Sequence, residues 1–153
     1  MNSFRNLFWD ETKPLLRLVG EGNRTFLHGQ TTSDIFSAKK NSIFQSCWLN
    51  AVGRVRALLE IRLLDKSAEV LVLGGVTEDL VNGFDQMIFP ADQVRIDFSS
   101  KIRRVQNLST KKPGKFNEVF WFSPEQPLPP TFIDFKPANP QKIEQWRIEN
   151  GLP

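Results

Sequence analysis

Residues 55–63 read VRALLEIRL. Val55, Ala57, Leu59, Ile61 and Leu63 alternate with Arg54, Arg56, Leu58, Glu60 and Arg62, and a period of two sends the two sets to opposite sides of an extended chain. The stretch is predicted to be a long strand with one buried face. Just before it, the apolar run IFQSCWL and the tetrapeptide Asn50-Ala51-Val52-Gly53 complete a hairpin signature. This returning pair of strands commits the chain to a sheet.

The flanking segments extend that reading. Leu15–Val19 is a short apolar strand, followed by a glycine-rich turn and one or two helical turns that end at Gly29. A glycine at that point suits a left-handed helix end, because it carries no Cβ to clash. TSDIFSAKKN is predicted to make a further short turn capped by Thr32 or Ser33. AEVLVLGG is a strand. TEDLVNGFDQMIF is a helix capped by Thr77, with Leu80, Val81, Phe84, Met87 and Ile88 on one face and Pro90 closing it. VRIDFSS, KIRRVQNL and NEVFWF are strands, and SPEQPLPP is a stiff surface connection. In NPQKIEQWRIENG, Asn139 caps a last helix, Pro140 opens it and Gly151 follows its end. Strands in succession with few helices predict an α+β fold with antiparallel sheets rather than alternating βαβ units.

Composition bounds the function. The 153 residues are 40% hydrophobic and 24% charged, in the range of globular proteins. No apolar run approaches the roughly 20 residues of a membrane span, and MNSFRNLFWDETK has no cationic lead into an apolar stretch. The expected compartment is the cytoplasm, with no membrane partner. A single cysteine, Cys47, excludes an internal disulfide framework, and one His with one Cys argues against a self-contained zinc site. The net charge of +3 is concentrated in KIRRVQNLSTKKPGK, residues 101–115, which contains no acid. Such a segment can meet phosphates. Without interleaved aromatic residues it reads instead as a solvated edge strand and hairpin tip, and no direct nucleic-acid contact is expected.

Signatures of phosphate loops, dinucleotide folds, zinc proteases and serine hydrolases are absent. His28 reads as a surface or capping residue rather than a general base, Cys47 as a small strand hydrophobe, and Trp48 and Trp146 as core residues that could also stack on a flat heterocycle. The residues by themselves describe a cytoplasmic α+β domain with room for a small ligand. They assign no catalytic group.

Three segments, in order, add a resemblance. LVGEGNRTFLHGQTTSDI, WLNAVGRVRALLEIRLL and QWRIENGLP are similar to the YgfZ family of folate-binding proteins, relatives of the glycine-cleavage T-protein, an aminomethyltransferase. The last segment matches the family pattern R-I-E-x-G-x-P at Arg147, Ile148, Glu149, Gly151 and Pro153. The resemblance implies two intertwined subdomains, residues 1–100 and the start of a second over 101–153. It implies binding of tetrahydrofolate or a related folate, in an accessory protein that assists maturation or repair of iron–sulfur client proteins and is linked to tRNA modification. The implied folate-binding residues are Gln30, Thr31, Asn50, Trp146, Arg147 and Glu149. Glu149 would accept the parallel N–H donors of the pterin edge, and Arg147 would hold Glu149 or the anionic tail.

Two departures qualify this. The T-protein Asp of the strand after the hairpin aligns near Ala57 and Leu58, which can neither exchange a proton nor stabilise charge. Binding without turnover is therefore expected, ahead of an aminomethyltransferase-like enzyme or a basic module that binds RNA or protein. The family's K-G-C-x-G-Q-E segment does not occur up to Pro153. The second subdomain is accordingly expected to be incomplete, with Phe120, Phe122, Phe132, Phe135 and Trp146 short of packing partners. The chain is then expected to self-associate or to keep a loose C-terminal half.

Overall fold

A computed structural model of the chain describes residues 4–109 and 119–151. The strands are β1 (Leu7–Val19), β2 (Ile43–Leu49), β3 (Val55–Leu63), β4 (Ser67–Gly74), β5 (Arg95–Asn107), β6 (Val119–Phe122) and β7 (Lys136–Pro137). The helices are α1 (Asn23–Gln30), α2 (Thr77–Met87) and α3 (Pro140–Glu149), with 3-10 turns at Ile35–Ser37, Pro90–Asp92 and Pro130–Phe132. The class is α+β, as the sequence predicts. The pairs β1–β4, β2–β3, β3–β4 and β5–β6 are antiparallel, and the short β1–β7 pair is parallel. The chain forms two compact units, Pro14–Ser100 and Met1–Lys13 with Lys101–Pro153.

In the continuous unit the strand order is β2-β3-β4-β1. Asn50 and Gly53 make the hairpin turn, with Asn50 N donating to Arg54 O (2.8 Å) and Gly53 N to Asn50 O (3.0 Å). One sheet face carries Leu16, Leu18, Ala57, Leu59, Ile61, Leu63, Ala68, Val70 and Val72 against Phe26 and Leu27 of α1 and Leu80 and Phe84 of α2. Phe84 receives Phe26 and Trp48 edge-on, at 5.3 and 5.9 Å between ring centres. Each such side chain contributes about 1.5–3 kcal/mol on burial.

The prediction of a single buried face on β3 is corrected. Leu58 and Glu60, on the opposite side from Leu59, are 6% and 1% exposed. Leu15, Leu71 and Leu73 are buried as well. Alternating polarity records the chemistry of a face, not whether it is covered. The buried Glu69 shows how charge is accommodated: Arg17 and Arg62 are its register partners, and their guanidinium groups reach its carboxylate at 3.2 and 2.7 Å. A buried carboxylate paired from both neighbouring strands keeps its hydrogen-bonding partners.

Three local expectations are also corrected. Helix α1 runs through Gly29 to Gln30, and Gly29 is not among the residues with positive φ. The turn at Ile35–Ser37 is capped by Asp34, whose carboxylate accepts from Phe36 N, not by Thr32 or Ser33. Thr77 is the first residue of α2 and makes no side-chain cap. Thr32 and Ser33 instead run along β2. Thr32 N donates to Cys47 O (3.0 Å), Cys47 N to Thr32 Oγ1 (3.1 Å) and Ser33 Oγ to Ser46 Oγ (2.8 Å). Polar side chains that satisfy a sheet margin in this way also discourage edge-to-edge pairing.

In the discontinuous unit the order is β7-β1-β5-β6. Phe8, Val105 and Phe132 form its buried centre, with Phe120, Phe122, Leu128 and Phe135 packed against them. Phe132 touches Phe8, Phe120 and Phe135 at 5.6, 6.0 and 5.4 Å between ring centres, and Trp146 is 1% exposed. The expectation that these aromatic residues lack packing partners is overturned, because the N-terminal segment, to which the sequence reading assigned no element before Leu15, supplies Phe8. Helix α3 begins as predicted, with Asn139 Oδ1 accepting from Lys142 N (2.8 Å) and Pro140 in the first turn. The solvated-edge reading of 101–115 is also corrected for its described part. Arg103 forms a two-point pair with Asp10 (2.9 and 2.5 Å), and Arg104 is fully buried, 4.5 Å over the Trp9 ring. Lys101 is exposed; Lys111, Lys112 and Lys115 lie outside the described residues.

Candidate functional site

The segment after β1 builds one side of a cleft. Gly20, with φ of +126°, and Gly22 pass so near the 90s segment that a Cβ on them would lie 2.2 Å from Gln93 O and 1.6 Å from Asp92 O. Gly22 N donates to Gln93 O (3.1 Å) across this approach. Only glycine permits it. Helix α1 then starts, anchored by Arg24, whose guanidinium donates to Ser67 O (3.0 Å) and to Leu64 O. The opposite wall is the end of α2 and the 3-10 turn after it, where Asp92 Oδ2 accepts from Phe89 N (2.7 Å) and Gln93 adopts a left-handed conformation, φ of +53°.

Between them lies a cleft of about 650 Å³, lined by Glu21, Gly22, Thr25, Phe26, Gly29 and Gln30 on one side and Met87, Phe89, Ala91, Asp92 and Gln93 on the other. Its volume lies within the range of small-molecule sites. The lining combines an apolar surface from Phe26, Met87 and Phe89 with two carboxylates and two primary amides, and it includes no cation. That set suits a flat, neutral, nitrogen-rich molecule: rings for its faces, carboxylates for N–H donors, amides for either kind of edge.

The residues expected to bind folate are distributed as follows. Gln30 lines the cleft. Thr31 closes α1, with its hydroxyl donating to Leu27 O (2.8 Å). Asn50 Oδ1 accepts from Val52 N (3.0 Å) and Arg54 N (2.9 Å), which fixes the hairpin turn. In the discontinuous unit, Trp146 is buried in α3, with its Nε1 lacking a hydrogen-bond partner among the described residues. Arg147 lies 4.0 Å from Glu144 and 5.9 Å over the Trp9 ring. Glu149 is exposed, accepts from Gln145 Nε2 (3.0 Å) and borders an open depression of about 590 Å³ with Pro140, Gln141, Glu144, Gln145 and Ile148. Gln30, Thr31 and Asn50 thus belong to one unit and Trp146, Arg147 and Glu149 to the other.

His28 links α1 to the next turn. Its Nδ1 accepts from Ile35 N (3.3 Å), and its ring lies 4.7 Å from that of Phe36. Ala57 and Leu58 are buried. Among the described residues no group of three or more His, Cys, Asp and Glu side chains could hold a metal ion, and no helix is long and apolar enough to cross a membrane. Sequence reasoning missed Glu21, Phe89, Asp92 and Gln93. The available signal was the spacing of Gly20 and Gly22, which requires another backbone to pass close by.

No protein-family model matches the chain, and no curated protein matches it.

Proposed function

We propose that this protein binds a reduced folate of the tetrahydrofolate type and serves as an accessory factor for iron–sulfur client proteins, without turnover of its own. The observation that carries the reading is the cleft. The segment Leu18–Ile35, one of the three that together carry the resemblance to folate-binding proteins, supplies one side of it. The donor set fits the pterin end of the ligand. A pterin is flat, carries parallel N–H donors on one edge and mixes donors and acceptors on the rest, and the cleft offers rings, carboxylates and amides to match. Absence of turnover follows from Ala57 and Leu58, buried aliphatic side chains that cannot perform the proton or charge chemistry of aminomethyl transfer.

Calorimetric titration of the whole chain with tetrahydrofolate tests the proposal. Binding is expected, and Gln30→Ala should weaken it by about two- to tenfold, the scale of one neutral hydrogen bond. No binding heat from the unmodified protein at any accessible concentration would reject the function. Binding indifferent to Gln30→Ala would reject the cleft.

A further inference from the structure

The tip of the β2–β3 hairpin carries apolar surface that the fold does not use. Val52 is 78% exposed and Val55 58%. Leu49, the register partner of Val55, is 37% exposed. Gly75 packs against the backbone of Arg56 and Ala57, which brings Val76, 54% exposed, to the same end of the sheet. Turns normally carry Asn, Asp, Gly or Ser. The tip is also firm, because Asn50 ties its own turn through its side chain and backbone.

Two arginines complete the patch. Arg54 and Arg56 are exposed, and no acidic residue occurs from Ile43 to Leu59. The Arg56 guanidinium lies 3.9 Å over the ring of the buried Trp48. Stacking fixes the plane of a guanidinium and leaves its in-plane N–H groups available to a carboxylate in two-point fashion. We propose that this tip is a docking surface for a partner-protein segment that alternates carboxylate and aliphatic side chains. The aliphatic groups would cover the valines, and the carboxylates would meet Arg54 and Arg56. An anionic lipid surface is the weaker fit: two cations are too few to hold a protein on it, and the tip has no aromatic residue to seat in the headgroup layer. The inference does not depend on folate binding, because none of these residues lines the cleft.

The test uses the whole chain, isotope-labelled for amide spectra, and a synthetic peptide alternating glutamate with leucine. Shifts confined to residues 49–56 and 76 are expected, with a loss of about tenfold or more in affinity for Arg54→Glu, on the scale of a charge-assisted hydrogen bond. Val52→Ser should also weaken binding, and a lysine–leucine peptide should leave the tip unshifted. Equal binding of the lysine–leucine peptide, or shifts that avoid the tip, would overturn the proposal. So would capture by phosphatidylserine vesicles in place of the peptide, or concentration-dependent self-association abolished by Arg54→Glu.

Discussion

Gly22 and Gly29 stand seven positions apart and face opposite constraints. A Cβ on Gly22 would sit 1.6 Å from Asp92 O, whereas one on Gly29 would meet nothing within 4 Å. Gly22→Ala should therefore force the two walls of the cleft apart and cost about 2–4 kcal/mol, as backbone displacements in packed sites do. Gly29→Ala, in a helix, should add about 0.5–1 kcal/mol. Denaturant midpoints of the two variants should move in opposite directions. A titratable residue gives a second check. The Ser99 hydroxyl (2.6 Å) and its amide (3.1 Å) both donate to Asp97 Oδ1 and hold its carboxyl below the usual aspartate range. The stability this confers is present above the ordinary carboxylate range and is lost as pH falls through the lowered value. Ser99→Ala should bring the Asp97 midpoint back toward normal in an NMR titration. Residue roles were legible where they are settled locally: the Asn139 cap and the Asn50–Gly53 turn needed only neighbours in sequence. Asp34 displaced Thr32 and Ser33 as a cap because β2 had taken their hydroxyls, and that competition is tertiary.

The elements were legible to the extent that they carry their own period. β3, β4 and α2 were, since repeating apolar positions set them apart from their surroundings. β1 was read only as Leu15–Val19, because Asp10, Glu11, Lys13 and Pro14 break any alternation. Its first half exists because Leu7 and Phe8 pair with Lys136 and Pro137, partners no local window contains. β5 was read as two strands and is one. The cleft divides likewise: the wall containing Gln30 was anticipated, whereas Phe89, Asp92 and Gln93 reach it only through the backbone approach at Gly20 and Gly22. The last helix offers a test at this scale. Asn139→Ala removes the cap on Lys142 N and should cost about 0.5–2 kcal/mol. Hydrogen exchange should quicken first at the N-terminal turn of α3.

For the whole molecule, the division into Pro14–Ser100 and Met1–Lys13 with Lys101–Pro153 predicts that damage stays regional. Phe132→Ala empties the centre of the aromatic cluster and should cost about 3–5 kcal/mol. Amides at 101–108 and 119–122 should then exchange faster, while those at 57–61 and 68–73 keep most of their protection, the behaviour of separate cooperative units. Uniform acceleration across both sets would show a single cooperative structure. The discontinuous unit is closed by ties such as Asp10 to Arg103, 93 residues apart in the chain, so the whole of Pro14–Ser100 is strung between its two strands. Tension applied from either flank is thereby borne first by the discontinuous unit. An unfolding motor or a pair of optical traps would have to rupture the β1 and β5 attachments there before any load reached Pro14–Ser100, so the order in which the chain is threaded puts the cleft last in line.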